Sequence, residues 1–291
     1  MTAQSVCAVI VTYHPAARMI DNLYSIRAQV DGMVVVDNGS SPAELDALSA
    51  ACIDCGFKLI TNGENLGLAE ALNQGVRQAL SEKFTWVILF DQDSTITPGF
   101  IRQMFTTWEG HPQHERIASL HPRYVDPITG RESFILRASD GGPFKSVTSG
   151  ALMPAWIFDK VGFFASEYFI DEVDTEYCLR IRAAGYLVAD SPEATLLHHV
   201  GHPEAYSVMG FTFWPTHHSA VRRYYMSRNR IVIFCKYFRI FPGWVAYLSY
   251  EYLRETVKCF VGEPDRAHKF RNFLLGTWDG LTGRLGKRAD L

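Results

Sequence analysis

The chain is poor in the features that assign a protein to a class at once. It has no run of about 18 uninterrupted apolar residues, which disfavours a membrane-spanning helix. No basic stretch precedes the first apolar run at Val6, so no secretory leader is expected. Cysteine is sparse: Cys7, Cys52, Cys55, Cys178, Cys235 and Cys259 are scattered, mostly within apolar runs. That usage suits reduced thiols in the cytoplasm. Cys52 and Cys55 form a single C-x-x-C, with no second Cys or His pair at zinc-finger spacing. No G-x-G-x-x-G follows the first strand-like run and no G-x-x-x-x-G-K-[ST] is present. A dinucleotide-binding Rossmann domain and a P-loop NTPase are therefore both disfavoured. The formal charge of -3 gives no global attraction to nucleic acid. One stretch lacks acid altogether: between Arg222 and Arg239 lie Arg223, Arg228, Arg230 and Lys236, forming a basic stripe.

What is present is an ordinary globular composition, 47% hydrophobic and 20% charged over 291 residues. That is enough for one large α/β domain with an appendage, or for two modest domains. The chain is organised around Trp86-Val87-Ile88-Leu89-Phe90-Asp91-Gln92-Asp93-Ser94. An apolar, β-branched run ending in two carboxylates reads as a buried strand delivering acids to the C-terminal edge of a parallel sheet, where ligands bind. Alternation in an extended segment puts Asp91 and Asp93 on one side, within reach of one divalent cation. The competing reading is a turn or helix cap, because Asp caps a following helix well.

Before this stretch come three strand-helix units. Strands are expected at Val6 to Thr12, Met33 to Asp37 and Phe57 to Thr61. Helices are expected from Pro15 to Gln29, over Leu45 and Leu48, and over Leu68 to Ala79. The rhythm predicts an open, mostly parallel sheet with right-handed crossovers. Polar residues follow the strands at Thr12, Asp37, Asn38, Asn65 and Gly67, and Asp37 reads either as a nucleotide contact or as the anchor of the Asn38-Gly39 turn. After a helix from about Pro98 to Trp108, short strands are expected at Ile117 to Leu120, Tyr124 to Asp126, Arg131 to Leu136 and Lys145 to Thr148.

A second acid cluster, Asp171, Glu172, Asp174 and Glu176, opens a helix expected from Val173 to Ala184. The helix dipole favours acids there, yet crowding them raises at least one pKa, which is how a general base is made. Short strands at Tyr186 to Ala189 and Thr195 to His198 lead to His198-His199-Val200-Gly201-His202, where a histidine could complete a metal site begun by Asp93.

Taken in order, V-T-Y, V-V-V-D-N-G-S, N-L-G-L-A-x-A-x-N-x-G, F-D-Q-D-S, S-G-A-L-M, F-I-D-E-V-D-x-E-x-C-L-R and L-x-H-H-V-G resemble the family 2 glycosyltransferases. F-D-Q-D-S and F-I-D-x-V-D resemble the bacterial rhamnosyltransferase subgroup within it. The resemblance implies a GT-A fold over residues 1–215, in which 1–95 bind the nucleotide sugar and 96–215 the acceptor, with a helical region at 216–291. It implies donor contacts at Thr12, Tyr13, Asp37, Asn65, Gly67, Asp91 and Gln92, and Mg²⁺ or Mn²⁺ held by Asp93 with His198 or His199. Asp174 matches the catalytic acid and Glu176 the next acid on the helix. Val173 stands where the family usually has Glu, which leaves Asp171 or Glu172 as the substitute, so that the base could be Asp171. Ser149, Gly150, Arg222 and Arg228 would meet acceptor or phosphate groups. The donor implied is dTDP-L-rhamnose, the acceptor a glycan or lipid-linked glycan of a cell-surface polysaccharide such as O-antigen, and no nucleic acid partner is expected.

From about Ser219 the pattern is helical, with an aromatic stripe flanked by basic residues. It reads as core packing with a solvated face or as an amphipathic surface docking on the cytoplasmic face of the inner membrane. Two other activities compete. One keeps the fold with another donor, such as UDP-hexose or UDP-galactofuranose. The other is a haloacid dehalogenase-type phosphohydrolase using Asp91 as nucleophile in D-x-D-x-T, a signature that normally ends a first strand rather than a fourth.

Overall fold

The computed structural model describes residues 4–16, 19–132, 136–197, 206–208, 211–213 and 218–291. The chain divides into two compact units, Met1–Ser166 with Val173–His199, and Glu167–Glu172 with Val200–Leu291.

The first unit alternates strands and helices: β1 (Val6–Thr12), α1 (Met19–Arg27), β2 (Gly32–Asp37), α2 (Pro42–Cys55), β3 (Lys58–Thr61), α3 (Leu68–Ser81) and β4 (Trp86–Asp91). Every residue of β1 is buried, and every residue of β4 except Asp91. Strands covered on both faces must be apolar throughout, which explains why they read as continuous runs. β5 (Thr95–Ile96), α4 (Phe100–Gly110), β6 (Ile117–Val125), β7 (Leu152–Pro154), α5 (Trp156–Val161), α6 (Val173–Ala183) and β8 (Leu187–Leu197) complete the unit.

The eight strands form one sheet in the order β3-β2-β1-β4-β7-β6-β8-β5. The half from β3 to β4 is parallel, β7 runs antiparallel between β4 and β6, and β6 pairs parallel with β8. One face buries Ile10, Leu23, Val35, Leu48, Ile88, Phe100 and Leu120 in a continuous apolar core.

The second half of this sheet differs from expectation. Ile117 to Leu120 and Tyr124 to Asp126 are a single strand, β6, and the pieces on either side of Ser191-Pro192 are the single strand β8. The pairing slips between Pro122 and Arg123, which face Ser191 and Thr195. A bulge accommodates prolines that lack a ladder N–H, so residues that look like strand breakers are retained inside the strands. No strand forms among the described residues of Arg131 to Leu136 or at Lys145 to Thr148, where only the isolated bridges Val125–Glu132 and Arg137–Pro143 occur.

The second unit contains the hairpin of β9 (Tyr206–Val208) and β10 (Phe211–Phe213), followed by α7 (Ala220–Tyr237), α8 (Pro242–Gly262) and α9 (Arg266–Thr282). Ser219 caps α7 by accepting from the Arg222 N–H. α9 lies directly against α7: a Cβ added at Gly276 would sit 2.3 Å from the Tyr224 carbonyl oxygen, so only glycine permits the approach. The Tyr224 hydroxyl donates to Asp279 at 2.6 Å, and buried Glu263 accepts from Arg223 at 2.7 Å and Lys269 at 2.8 Å. Among the described residues no helix is long and apolar enough to cross a membrane.

Candidate active site

Parallel register gathers the C-terminal ends of β2, β1 and β4 at one sheet edge, setting Thr12 beside Asp37 and Val11 beside Asp91. Asp37 is fully buried. One of its carboxylate oxygens accepts from the Thr12 hydroxyl at 3.0 Å and from the Ser40 hydroxyl, the other from the N–H groups of Gly39 and Ser40 at 3.1 and 2.9 Å. With both oxygens engaged by its own turn, the carboxylate shapes the loop after β2, and Thr12 is drawn into the same network.

Side-chain amides tie that loop to the next one. Asn38 Oδ1 accepts from Asn62 Nδ2 and the Leu66 N–H, while Asn38 Nδ2 donates to Asn65 Oδ1, which also accepts from the Gly67 N–H. Gly39, at φ 100°, lies so close to the Glu64 backbone that a Cβ would come within 2.7 Å of its carbonyl carbon. Asn65 and Gly67 thus build a rigid pair of loops over the strand ends.

The third loop leaves β4. Gln92 bonds Tyr13 reciprocally, its Oε1 accepting from the Tyr13 N–H at 2.9 Å and its Nε2 donating to the Tyr13 carbonyl at 3.2 Å. The Tyr13 ring remains 46% exposed. Asp91 and Asp93 are both half-buried. Burial, then the charges of Asp93 and Asp174 in that order, push the Asp91 carboxyl up to about 7. The Asp91 carboxyl thus feels the charges of two acids from separate stretches of sequence, Asp93 and Asp174. Buried Ser94 pairs hydroxyl to hydroxyl with buried Ser149, which also receives the Asp91 N–H at 3.4 Å, and the Gly150 N–H donates to the Leu89 carbonyl at 2.6 Å. Ser149 and Gly150 brace the acid-bearing loop, as does Tyr124 by donating to the Ser149 carbonyl at 2.8 Å.

The second acid run is sorted by its partners. Asp174 is half-buried in the first turn of α6 and accepts from the Thr175 N–H at 2.7 Å. Glu176 is buried and held by Arg180 through two bonds of 3.2 and 2.6 Å, a structural ion pair on one helix face. In the other unit, Asp171 accepts from Nε and Nη2 of Arg222 at 3.0 and 2.9 Å. Burial raises its carboxyl, and the Arg222 guanidinium offsets only part of that rise. Arg228 is almost wholly buried and donates to the Glu167, Tyr168 and Gly286 carbonyls. Arg222 and Arg228, expected at acceptor or phosphate groups, direct these guanidinium bonds to the chain itself.

His198 and His199 lie outside the described residues. Among the described residues no three His, Cys, Asp or Glu side chains are gathered as a metal cluster. Ser40, Ser94, Tyr124 and Asn229 escaped the sequence reading. Ser40 and Ser94 stand inside quoted motifs and could have been found there, whereas Tyr124 carries no local signal.

Residues 7–128 match "Glycosyl transferase family 2". The chain is 31% identical over 298 residues to "dTDP-rhamnosyl transferase RfbF" of Shigella flexneri, covering 97% of both chains. It is 25% identical over 202 residues to "Low-salt glycan biosynthesis hexosyltransferase Agl10" of Haloferax volcanii, covering 60% of this chain and 61% of that one. Among solved structures, mannosyltransferase PcManGT from Pyrobaculum calidifontis, in complex with GDP-Man and Mn²⁺, superposes with a TM-score of 0.61 at 14% identity, over 97% of this chain and 89% of that one. S. aureus TarS 1-349 in complex with UDP-GlcNAc gives 0.55 at 12%, over 96% and 73%.

A mostly parallel sheet with polar loops and paired acids at its strand ends is the GT-A fold of a glycosyltransferase. The chain belongs to glycosyl transferase family 2.

Proposed function

We propose that the chain transfers L-rhamnose from dTDP-L-rhamnose to a saccharide acceptor in cell-surface polysaccharide synthesis, with inversion at the anomeric carbon. The reading is carried by the near full-length relationship to a protein named as a dTDP-rhamnosyl transferase. The grouping of Asp91, Asp93 and Asp174 supports it. In this reading residues 1–95 bind the nucleotide sugar, 96–215 bind the acceptor, and the helices of 216–291 associate with a membrane surface.

Asp174 is the base. It takes the proton of the acceptor hydroxyl as that oxygen attacks the anomeric carbon, on the face opposite the nucleoside diphosphate. One displacement suffices, and no covalent nucleophile is needed. Asp93, with Asp91 beside it, would hold Mg²⁺ or Mn²⁺. The donor set fits: two hard carboxylates stand one residue apart at the strand end, and the Asp91 carboxyl, raised by burial and then by the charges of Asp93 and Asp174, would be returned to its charged form by a divalent cation. When bound, the cation neutralises charge on the departing diphosphate. The loops of Tyr13, Asp37, Asn65 and Gly67 frame the nucleotide, with the exposed Tyr13 ring as a base platform.

The C-terminal helices also support peripheral attachment to the cytoplasmic face of the inner membrane. Residues 218–291 carry fourteen Lys and Arg against six Asp and Glu. α8 exposes Tyr250, Leu253 and Val257, and α9 exposes Phe270, Leu274, Trp278 and Leu281. Apolar side chains among basic residues suit an anionic lipid surface where a lipid-linked acceptor would be met.

The test is calorimetric titration with dTDP, UDP and GDP, with and without Mn²⁺, on wild type and Asp93→Ala. Metal-dependent dTDP binding that disappears in the variant is expected. Preference for UDP would overturn the donor, and no nucleotide binding would overturn the transferase reading.

A further inference from the structure

Within the C-terminal unit, Glu167–Glu172 follows a path that amino acids with side chains seldom take. Phe169, Asp171 and Glu172 have φ values of 63°, 63° and 61°. Such left-handed conformations at non-glycine residues persist only where the surroundings over-determine them, and they concentrate at functional sites.

The surroundings here are supplied by α7. Asn229 is fully buried, and its Nδ2 donates to three main-chain carbonyls of the segment, those of Tyr168 at 3.0 Å, Ile170 at 2.8 Å and Asp171 at 2.8 Å. Its Oδ1 accepts from Arg228 Nε at 2.9 Å, which determines which end of the amide faces the carbonyls. The rest of the Arg228 guanidinium caps the carbonyls of Glu167 and Tyr168 and lies 4.8 Å from the centre of the Tyr225 ring. Phe169 stacks on that same ring at 5.0 Å. On either side, Arg222 grips Asp171 and Arg230 Nε donates to Glu172 at 2.6 Å. Three residues of the basic stripe, Arg222, Arg228 and Arg230, thus clamp one strained segment, while Arg223 pairs with Glu263.

That segment has a particular neighbour in the chain. Glu172 is joined directly to Val173, the first residue of α6, and Asp174 follows. The strained pair Asp171 and Glu172 is the turn by which the backbone enters the helix bearing the proposed base. Both acids of that turn are committed to arginine.

We infer that Asn229, oriented by Arg228, is a positioning residue for transfer: it holds the main-chain turn into α6, and with it the Asp174 carboxylate, while Arg222 keeps Asp171 from acting as a second base. The inference rests on the assignment of Asp174 above. Asn229 is buried, its side chain bonding Arg228 and the backbone of Glu167–Glu172, and it acts through that backbone.

The experiment compares wild type with Asn229→Asp, which replaces the shared donor by an oxygen at nearly constant shape, and with Arg222→Gln at a half-exposed position where folding is not at stake. Three quantities are read: the dissociation constant for dTDP with Mn²⁺, kcat and KM for the donor, and the pH profile of kcat. For Asn229→Asp the expected result is a kcat lowered at least tenfold, with dTDP affinity and donor KM within about threefold of wild type. For Arg222→Gln the expected result is an altered acid limb of the kcat profile, as the released Asp171 carboxylate titrates beside the turn. Folded Asn229→Asp with wild-type kcat would overturn the inference, and so would an equal loss of nucleotide affinity and kcat. If Asn229→Asp does not fold, Arg222→Gln decides: an unchanged pH profile rejects the clamp. Failure of wild type to bind any nucleotide would instead reject the transferase reading on which the inference stands.

Discussion

The side chain of Gln92 mimics a strand partner for the backbone of Tyr13, accepting from its N–H and donating to its carbonyl across 79 residues of sequence. The loop after β1 and the loop after β4 are thereby locked together at the sheet edge. Gln92→Ala removes both bonds and leaves Tyr13 to find its own position. At about 0.5–1.5 kcal/mol for each neutral bond, nucleotide affinity is expected to weaken about 5- to 150-fold, with little change in melting temperature. Calorimetry with dTDP and Mn²⁺ measures it, and an unchanged dissociation constant would show that the lock does not serve the ligand.

Asp174→Asn retains the shape of the first turn of α6, including an oxygen able to accept from the Thr175 N–H. A general base contributes about 10²–10⁴-fold, so kcat is expected to fall by that factor while nucleotide binding persists. Steady-state kinetics beside the calorimetric titration separate the two. Full activity in this variant would transfer the role of base to another acid.

His121 on β6 gives the protein a predictable acid sensitivity. It is 1% exposed, its Nε2 lies 2.8 Å from the Ser119 hydroxyl, and burial pulls the imidazole down from 6.5 to about 4. As pH falls below 6.5 the unfolded chain takes up the proton while the folded one refuses it. The neutral buried imidazole thus leaves stability intact above pH 6.5 and erodes it between pH 6.5 and 4, by about 3 kcal/mol in all. Urea unfolding across this window is expected to show the decline for wild type and a flatter curve for His121→Gln. Parallel curves would show that other groups govern the acid response.

The exposed side chains of α9 allow the membrane proposal to be tested without disturbing the fold. Trp278 and Leu281 are 65% and 62% exposed, so Trp278→Asp with Leu281→Asp removes little buried contact. Co-sedimentation with vesicles containing anionic lipid is expected to drop at least tenfold in the double variant and to be negligible for wild type on purely zwitterionic vesicles. Equal binding by both proteins would remove this face from the proposed attachment surface.

Much of the first unit is legible in the sequence. Val6 to Thr12 and Trp86 to Phe90 are apolar at nearly every position because both faces of a central parallel strand are buried, and that pattern needs no partner to be recognised. Asp91 at the end of such a strand points to the binding edge for the same reason. The long strands β6 and β8 were not legible, since Pro122 and Pro192 signal breaks and only the pairing between strands reveals the bulge that absorbs them.

What the sequence by itself determined is whatever local physics encodes: the strand-helix alternation, the acids at a strand end and at a helix start, and the helical C-terminal region. The tertiary structure alone decided what each acid does. Asp171 meets an arginine 51 residues away, Asp37 draws in a threonine 25 residues back, and Asp91, raised by burial, is raised further by the charge of Asp174 from a distant stretch. Charge, burial and hydrogen bonding act through space, so a carboxylate's role depends on neighbours that only folding brings to it.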